Sequence, residues 1–588
     1  MDESKRKPMV AWYDPWQLLR TAQLVVVSTI FGRNADFRTI EAISNRDDKD
    51  PFVDLSTDEK CAPRDKLWID YVADAGDGWN PTHAIAHYVA EPSLKIRVRG
   101  KEESLPRAEV LIFGGDEVYP TASREEYEQR LIAPYESALK RTEGSAHPKV
   151  FAIPGNHDWY DSLVSFTGLF CAKEWMAGWE APQKRSYFGL KLPHHWWLIG
   201  LDMQLESDVD QDQMEFFIRI AGKFEKEDRV ILCNAEPYWI YNQWYQNIDP
   251  GFAAKYEHYV GFLDKYFKDR VRVMLAGDLH HYRRHESTAA TKSTIAQKIT
   301  AGGGGAFLHP THAPDASKLD DGYEHRASFP EARVSRVLSL DNLMFWKRNC
   351  TFGFLPAILY FVLAWSINPH IGGYGLSEIG CAVITATAKV IEYPGSAFWP
   401  IAILAGFWLF TDTHSANYRR IASPLHGMAN LAAAFALFWF ADYLFLAICG
   451  TEPGGSEISR FWYGLGHVVY LIVPIGGYFA GSFIMGLYLL ISLNTFGRHF
   501  NEAFSSLAIE DWKSFLRIRV DENGLEIYPI GIKRVPRKWK DREMLEGTKE
   551  HWTKVEPDDP EATPPELIED PIVVKLTVAP PAQGALNP

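Results

Sequence analysis

Four apolar runs, Phe352–Ile367, Phe398–Phe410, Met428–Ile448 and Val468–Ile491, set the strongest limit on what this chain can fold into. The last two exceed the roughly 18 to 20 residues a helix needs to span a bilayer, and the first two reach that length with their flanks. A buried soluble bundle is the alternative, but runs this long with so few charges are hard to place in a soluble core. Residues 346–495 are therefore predicted to form a transmembrane domain of about four helices. Lys347 and Arg348 precede the first run, Arg419 and Arg420 separate the second from the third, and Arg498, Lys513, Arg517 and Arg519 follow the fourth. The other two loops carry only Lys389 and Arg460, so four spans with both termini in the cytoplasm satisfy the positive-inside rule. A fifth span over Glu378–Tyr393 would invert everything after it. Lys389 and Glu392 favour an interfacial helix there instead. Asp442, inside the third run, is read either as a functional intramembrane acid or as a partner for a neighbouring helix. Without an inverted repeat or a chain of charges along the runs, it does not make a transporter.

The rest of the chain reads as soluble. With 588 residues and a net charge of −14, there is room for more than one domain and no broad cationic surface for a nucleic-acid backbone. The six cysteines show no CxxC spacing, which argues against a disulfide framework or a zinc ribbon. Leu24–Phe31 is short and bracketed by Arg20 and Arg33, so it is expected to be a buried strand or helix turn rather than a signal sequence. Residues 1–345 are predicted to be one cytoplasmic domain. Residues 496–545, which alternate around Asn523-Gly524, are predicted to be a small β-rich domain, and residues 546–588 a disordered acidic, Pro-rich tail.

Residues 1–345 repeat one grammar, a short apolar run followed by Gly with acidic or His residues. "LWIDYVADAGDG" ends in Asp74, Gly76 and Asp77, "VLIFGGDEVYP" in Asp116 and Tyr119, and "VFAIPGNHDWYD" in Asn156, His157 and Asp158. "VILCNAEPYW" follows, then "VRVMLAGDLHHY" with Asp278, His280 and His281. Each run reads as a strand buried on both faces, with its polar cluster in the loop at the C-terminal edge, where α/β folds assemble sites. Oxygen ligands mixed with imidazole suit Mn, Fe or Zn, and two ions about 3.5 to 4 Å apart can clamp a phosphoryl group and acidify a bridging water.

This series resembles the calcineurin-like metallophosphoesterase superfamily over roughly residues 65 to 312. "DAG" and "GDEVY" are similar to the DxG and GDxxY of purple acid phosphatases, in which the Tyr is a metal ligand. The resemblance implies a four-layer α/β/β/α sandwich, two metal ions and hydrolysis of a phosphomonoester or phosphodiester. It implies that Asp74 and His280 hold the first metal, Asp116 bridges, and Asn156 binds the second. His157 would be the general acid, oriented by Asp158. Where most members have DxH, Gly76 cannot ligate, so Tyr119 or Asp77 would take that place.

Two positions depart from the family pattern. Ala235 stands in "CNAEP" where a His ligand is expected, and Asp278 stands at the first His of GHxH. Asp278 shifts the second metal site toward harder ions, and that site is expected to be weak. Glu236, His309 and His312 are the candidate replacements, beside the close-packing "GGGG". Each motif also has a plainer reading. "GNHD" alone is an ordinary turn, Tyr119 alone is packing, and Trp159, Trp239 and Trp244 could be core or pocket wall. Arg283 and Arg284 read as surface charges, with phosphate clamps the alternative because they follow the His cluster, and His285 reads as a surface residue. The function expected is a membrane-anchored phosphoesterase facing the cytoplasm from a multi-pass membrane position, with a phosphate ester as substrate, possibly lipid-linked. The alternative is a decayed module that binds a phosphorylated ligand without turnover.

Overall fold

A computed structural model describes residues 6–20, 51–58, 62–142, 146–203, 209–249, 251, 254–367, 371–411, 414–451, 456–541 and 555–576. The predicted element at Leu24–Phe31 lies outside them. The chain divides into an α/β unit (Met1–Val10, Arg20–Arg336 and Ala508–Pro588) and a helical unit (Ala11–Leu19 and Val337–Leu507).

The main strands of the α/β unit are, in chain order, β1 (Lys66–Val72), β2 (Val110–Phe113), β3 (Lys149–Ala152), β4 (Phe188–Leu192), β5 (Trp196–Gly200) and β6 (Arg229–Asn234). They continue as β7 (Val271–Ala276), β8 (Tyr282–Ser287), β9 (Gln297–Ala301), β10 (Tyr323–Phe329), β11 (Lys513–Asp521) and β12 (Gly524–Ile532). One sheet runs β12-β11-β1-β2-β3 and the other β4-β5-β6-β7-β9-β8-β10, each extended by short edge strands. β1, β2 and β3 are parallel, as are β5, β6, β7 and β9. Their C-terminal ends therefore share one edge within each sheet.

The apolar runs behave as strands buried on both faces. Leu67, Ile69 and Tyr71 of β1 join a core with Leu198, Ile231 and Val273 from the other sheet, while Trp68 and Val72 pack with Trp79, Ile85 and Val89 of the helix Trp79–Ala90. Burying each such side chain stabilises the fold by about 1.5 to 3 kcal/mol.

The C-terminal hairpin does not form the separate domain expected over residues 496–545. β11 pairs antiparallel with β1, Ile518 opposite Ile69, and so lengthens the first sheet. Arg517 Nε and Nη2 each donate to Asp70 at 2.8 Å, and both residues are fully buried. The alternation of β11 was readable locally, but a buried Arg–Asp pair 447 residues apart in sequence was not. The tail departs from expectation too. Val555–Pro557 pairs with Trp539–Asp541, and Ile572–Val574 pairs with β12, so edge pairing orders this acidic segment.

In the helical unit, Ala416–Cys449 and Glu457–Phe496 are long and apolar enough to cross a membrane. Leu376–Glu392 and Gly395–Phe410 meet at a 105° bend, and Phe354–Ile367 is a shorter apolar helix. The four runs thus differ in reach: two helices pass on length alone, or three if the bent pair is one span. Exposure is inverted relative to a soluble bundle, with Trp365 72%, Leu409 71% and Ile458 72% exposed. Small residues lie where helices touch. A Cβ on Gly481 would strike Pro356, and one on Gly486 would strike the Asn342 carbonyl. Asp442 is buried and accepts from the Gly372 N–H (2.7 Å) and the Tyr470 hydroxyl (2.6 Å), the inter-element pairing that was one of its two readings.

Candidate metal centre

The predicted residues sit at the C-terminal ends of parallel strands: Asp74 after β1, Asp116 after β2, Asn156-His157-Asp158 after β3, Asp278 and His280 after β7. Asp74, Asp116 and Asp278 have φ of 58°, 52° and 66°, a left-handed conformation that costs a residue with a Cβ and recurs at functional sites. Backbone bonds lock the first two loops together. Asp74 N–H donates to Gly115 O (2.9 Å), Gly76 N–H to Glu117 O (3.0 Å), and Tyr119 N–H to Gly76 O (2.8 Å).

This frame brings four side chains to one point. The Tyr119 hydroxyl lies 3.2 Å from Asp74 Oδ1, 3.2 Å from Asp116 Oδ2 and 2.9 Å from His280 Nε2. A single O–H can donate to only one of them. His280 Nδ1–H donates to Phe307 O (2.8 Å), so Nε2 carries its lone pair toward Tyr119. Asp74 Oδ2 is buried without a hydrogen-bond partner. The glycines are here because nothing larger fits: a Cβ on Gly302 would fall on Asp74 Oδ2, and one on Gly155 would fall on Asp116 Oδ1.

Burial, and after it the charges of Asp116 and Asp278, hold the Asp74 carboxyl well above the ordinary range. Burial and Asp158 do the same to Asp116. Desolvation, with Asp116 and Glu236 adding, pushes Asp278 up to about 7. A bound cation would relieve this mutual repulsion. The three oxygens and one imidazole nitrogen around Tyr119 are a donor set that fits a hard or borderline metal ion.

The second-ion residues fit less well. Asn156 is exposed, Ala235 offers no donor, Asp278 accepts from the Tyr241 hydroxyl, and Glu236 Oε1 accepts from the Tyr256 hydroxyl (2.9 Å). His309 packs its ring on His280 at 3.9 Å, with its Nδ1 accepting from the His280 N–H (3.2 Å). His312 Nδ1 meets the Ser335 hydroxyl at 2.8 Å. Asp77 is not near Tyr119's role, since its two oxygens accept from the N–H groups of Val10 (2.7 Å) and Phe307 (3.1 Å).

His157 Nδ1–H donates to Pro120 O at 2.7 Å, and its ring lies 4.4 Å from that of Tyr119. Desolvation lowers its pKa from the ordinary imidazole value. The expected bond from Asp158 to His157 is replaced. Asp158 accepts instead from the N–H groups of Gly155 (2.8 Å) and Glu117 (3.3 Å) and from the Tyr127 hydroxyl, so it ties the GNHD loop to its neighbours. Asp202, not singled out in the sequence, joins that loop by accepting from Trp159 Nε1 (3.3 Å) and from Ser186 (2.7 Å). Trp239 and Trp244 are buried. Arg283, Arg284 and His285 are also buried rather than on the surface, because β8 lies inside the sheet between β9 and β10. Arg284 forms an ion pair with Glu569 from the tail (2.6 Å). Nothing local in the sequence signals that partner.

No family model matches the chain, and no curated protein matches it. Among solved structures it is similar to GAP50, the anchor in the inner membrane complex of Plasmodium, at 11% identity and a TM-score of 0.30, covering 44% of this chain and 77% of that one. It is similar to the purple acid phosphatase PPD1 from yellow lupin (Lupinus luteus) seeds, at 13% identity and a TM-score of 0.30, covering 46% of this chain and 50% of that one. A third is PhoD, at 11% identity and a TM-score of 0.27, covering 42% and 58%.

Proposed function

We propose that the chain is a membrane-anchored, metal-dependent phosphoesterase whose α/β unit is a four-layer α/β/β/α sandwich. The inter-sheet core and the helix Trp79–Ala90 support three of those layers. The contacts of Ile220 at Gly189, and of Phe224 with Trp197 (ring centroids 5.2 Å), support the fourth. The observation that carries the function is the convergence of Asp74, Asp116 and His280 on the Tyr119 hydroxyl. These four residues would hold one ion tightly, of the Mn, Fe or Zn class. Asn156, Asp116 and Asp278 would hold a second weakly. Bound metal supplies Lewis acidity toward a phosphoryl oxygen and lowers the pKa of water.

The chain's own residues do the rest. Asn156, exposed beside Asp116, offers an amide to a phosphoryl oxygen. His157, its Nδ1–H anchored on Pro120 O, presents Nε2 toward the leaving oxygen of a phosphomonoester or phosphodiester, and would deliver a proton from that atom when the ring is the imidazolium, leaving the neutral ring behind. Asp158 and Asp202 keep that loop in place.

The helical unit would be the anchor, with the α/β unit in the cytoplasm. β1 precedes the helical segment and β11 follows it, and the two strands are paired. Both ends of the segment must therefore lie on the same side, so the number of crossings is even, two or four. This pairing supports four spans over five, and a lipid-linked phosphate ester is the substrate class proposed for an enzyme anchored in this way. A decayed module that binds a phosphorylated ligand is the second reading, favoured by Ala235 and by the Tyr241 bond to Asp278.

The full chain in detergent, supplied with Mn and a chromogenic phosphodiester or phosphomonoester, separates them. Metal-dependent turnover that falls about 100-fold or more in His157→Ala supports hydrolysis. No turnover with any divalent metal leaves the binding reading.

A further inference from the structure

The stretch that leads into the first apolar run is built inside out. It is helical over Leu340–Met344 and Phe345–Arg348. Ser339, Asn342 and Phe345 are buried there, whereas Val337, Leu340, Leu343 and Met344 are 60%, 52%, 37% and 43% exposed. The buried polar groups are met within the helical unit. The Ser339 hydroxyl accepts from Asn494 Nδ2 (3.1 Å), Asn342 Nδ2 donates to Ala503 O (3.0 Å), and Asn342 Oδ1 accepts from the Ser506 hydroxyl (3.0 Å). A helix facing water turns its apolar side inward, the reverse of this arrangement.

A second segment of the same unit repeats the pattern. Tyr13 is buried against Phe345 and Phe352, with ring centroids 4.9 and 5.8 Å apart. The helical turn after it leaves Trp16 78% and Leu19 61% exposed. Charge supplies a further observation. Lys347 and Arg348 are exposed at the end of the first segment, and Arg333 and Arg336 precede it in the chain. Asp341 is the single acid among these residues, in a chain whose net charge is −14.

Packing sets the depth. A Cβ on Gly486 would strike the Asn342 carbonyl, so Asn342 lies against that glycine. At about 1.5 Å per residue, Gly486 stands about 7.5 Å before Ile491, where the last apolar run ends, and Asn494, bonded to Ser339, stands about 4.5 Å beyond it. The segment therefore crosses the end of that run. An amphipathic helix resting on a bilayer buries its apolar face to about this depth, roughly 5 to 10 Å.

We infer that residues 11–19 and 337–348 form a collar that lies in the bilayer surface and binds anionic phospholipid. This rests on the membrane anchoring proposed above and not on hydrolysis. Val337, Leu340, Leu343, Met344, Trp16 and Leu19 enter the boundary between headgroups and acyl chains, where Trp is favoured. Lys347 and Arg348 meet lipid phosphates. The occupant is lipid because the exposed apolar surface continues into the first apolar helix, where Phe354 and Ile358 are each 61% exposed, and because the cations match an anionic headgroup.

The test is photocrosslinking of the full chain in nanodiscs of phosphatidylcholine and phosphatidylglycerol, with p-benzoylphenylalanine replacing one residue at a time. Phe440, exposed on the spanning helix Ala416–Cys449, is the positive control, and Val164, exposed on the α/β unit, the negative one. Leu340 and Trp16 should crosslink to lipid as Phe440 does, with Val164 at background. At Leu340, phosphatidylglycerol should be captured at least about threefold above its share of the lipid, and the double variant Lys347→Gln, Arg348→Gln should lose that excess. Lipid capture at Phe440 with none at Leu340 and Trp16 would overturn the collar and leave the anchor standing. No capture at Phe440 either would overturn both. Capture by Leu340 of a second copy of the chain in place of lipid, or an excess unchanged in the double variant, would also overturn it. None of these readouts depends on turnover.

Discussion

Asp74 in the α/β unit and Asp442 in the helical unit are both buried acids, 0% and 1% exposed, yet their surroundings are opposite. Asp442 has a donor on each oxygen, from Gly372 and Tyr470. Asp74 has one oxygen unpartnered and the other shared with Tyr119 and the Asp278 N–H, and it sits beside Asp116 and Asp278. On the proposed reading, the difference separates a structural acid from a metal-binding one. A carboxylate whose lone pairs are met by protein donors closes a packing interface, whereas one crowded by other carboxylates is arranged for a cation that the fold does not supply.

The sharpest way to break this contrast is to exchange the charges. Asp116→Asn should cut metal-dependent turnover by about 1000-fold, since Asp116 is the carboxylate proposed to serve both ions. Asp442→Asn should leave turnover in the same assay within about twofold. Equal losses in both variants would dissolve the distinction. A slightly smaller effect is expected at the buried ion pair. Arg517→Ala strands Asp70 without its partner and should destabilise the α/β unit by about 3 to 5 kcal/mol, read by chemical denaturation in detergent. The helical unit should unfold at an unchanged denaturant concentration.

Proton linkage gives the next test. Burial raises Asp77 to about 6 and Asp278 to about 7, from an ordinary 3.8. The folded, metal-free chain therefore holds protons that the unfolded chain releases. Stability from these groups is present below about pH 4 and lost as the pH rises through 6 and 7. The thermal midpoint of chelator-treated protein should fall across that window, and saturating Mn should flatten the curve. The smallest effects belong to helix packing. Gly481→Ala would press a methyl group on Pro356 and should cost about 1 to 3 kcal/mol in the helical unit, with turnover unaffected.

Much of the candidate centre was legible because its chemistry is local. Each apolar run ends in its own short motif and parallel strands bring those ends to common edges, while the resemblance to metallophosphoesterases grouped Asp74, Asp116 and His280 and left Tyr119 and Asp77 as alternatives. What was not legible depends on long-range packing. The Asp158 carboxylate turned to Gly155, Glu117 and Tyr127 rather than His157, a choice set by how the loop after β2 packs. Arg283 and His285 looked like surface residues because β8 is polar in sequence, yet its neighbours β9 and β10 enclose it. The hairpin β11–β12 alternated as a strand pair should, but only its pairing with β1 and the Arg517–Asp70 contact make it part of the first sheet. The continuous apolar runs marked the helices but not their full lengths or the 105° bend.

Metal content per chain, measured on the purified full-length protein and on its Asp74→Asn and His280→Ala variants, tests the central claim most directly. Asp74, Asp116, Tyr119 and His280 should retain close to one tightly held Mn, Fe or Zn ion after gel filtration, and each variant should lose it. Retention of that ion in both variants, or no metal bound by the wild type at any added concentration, would contradict a metal centre at these residues.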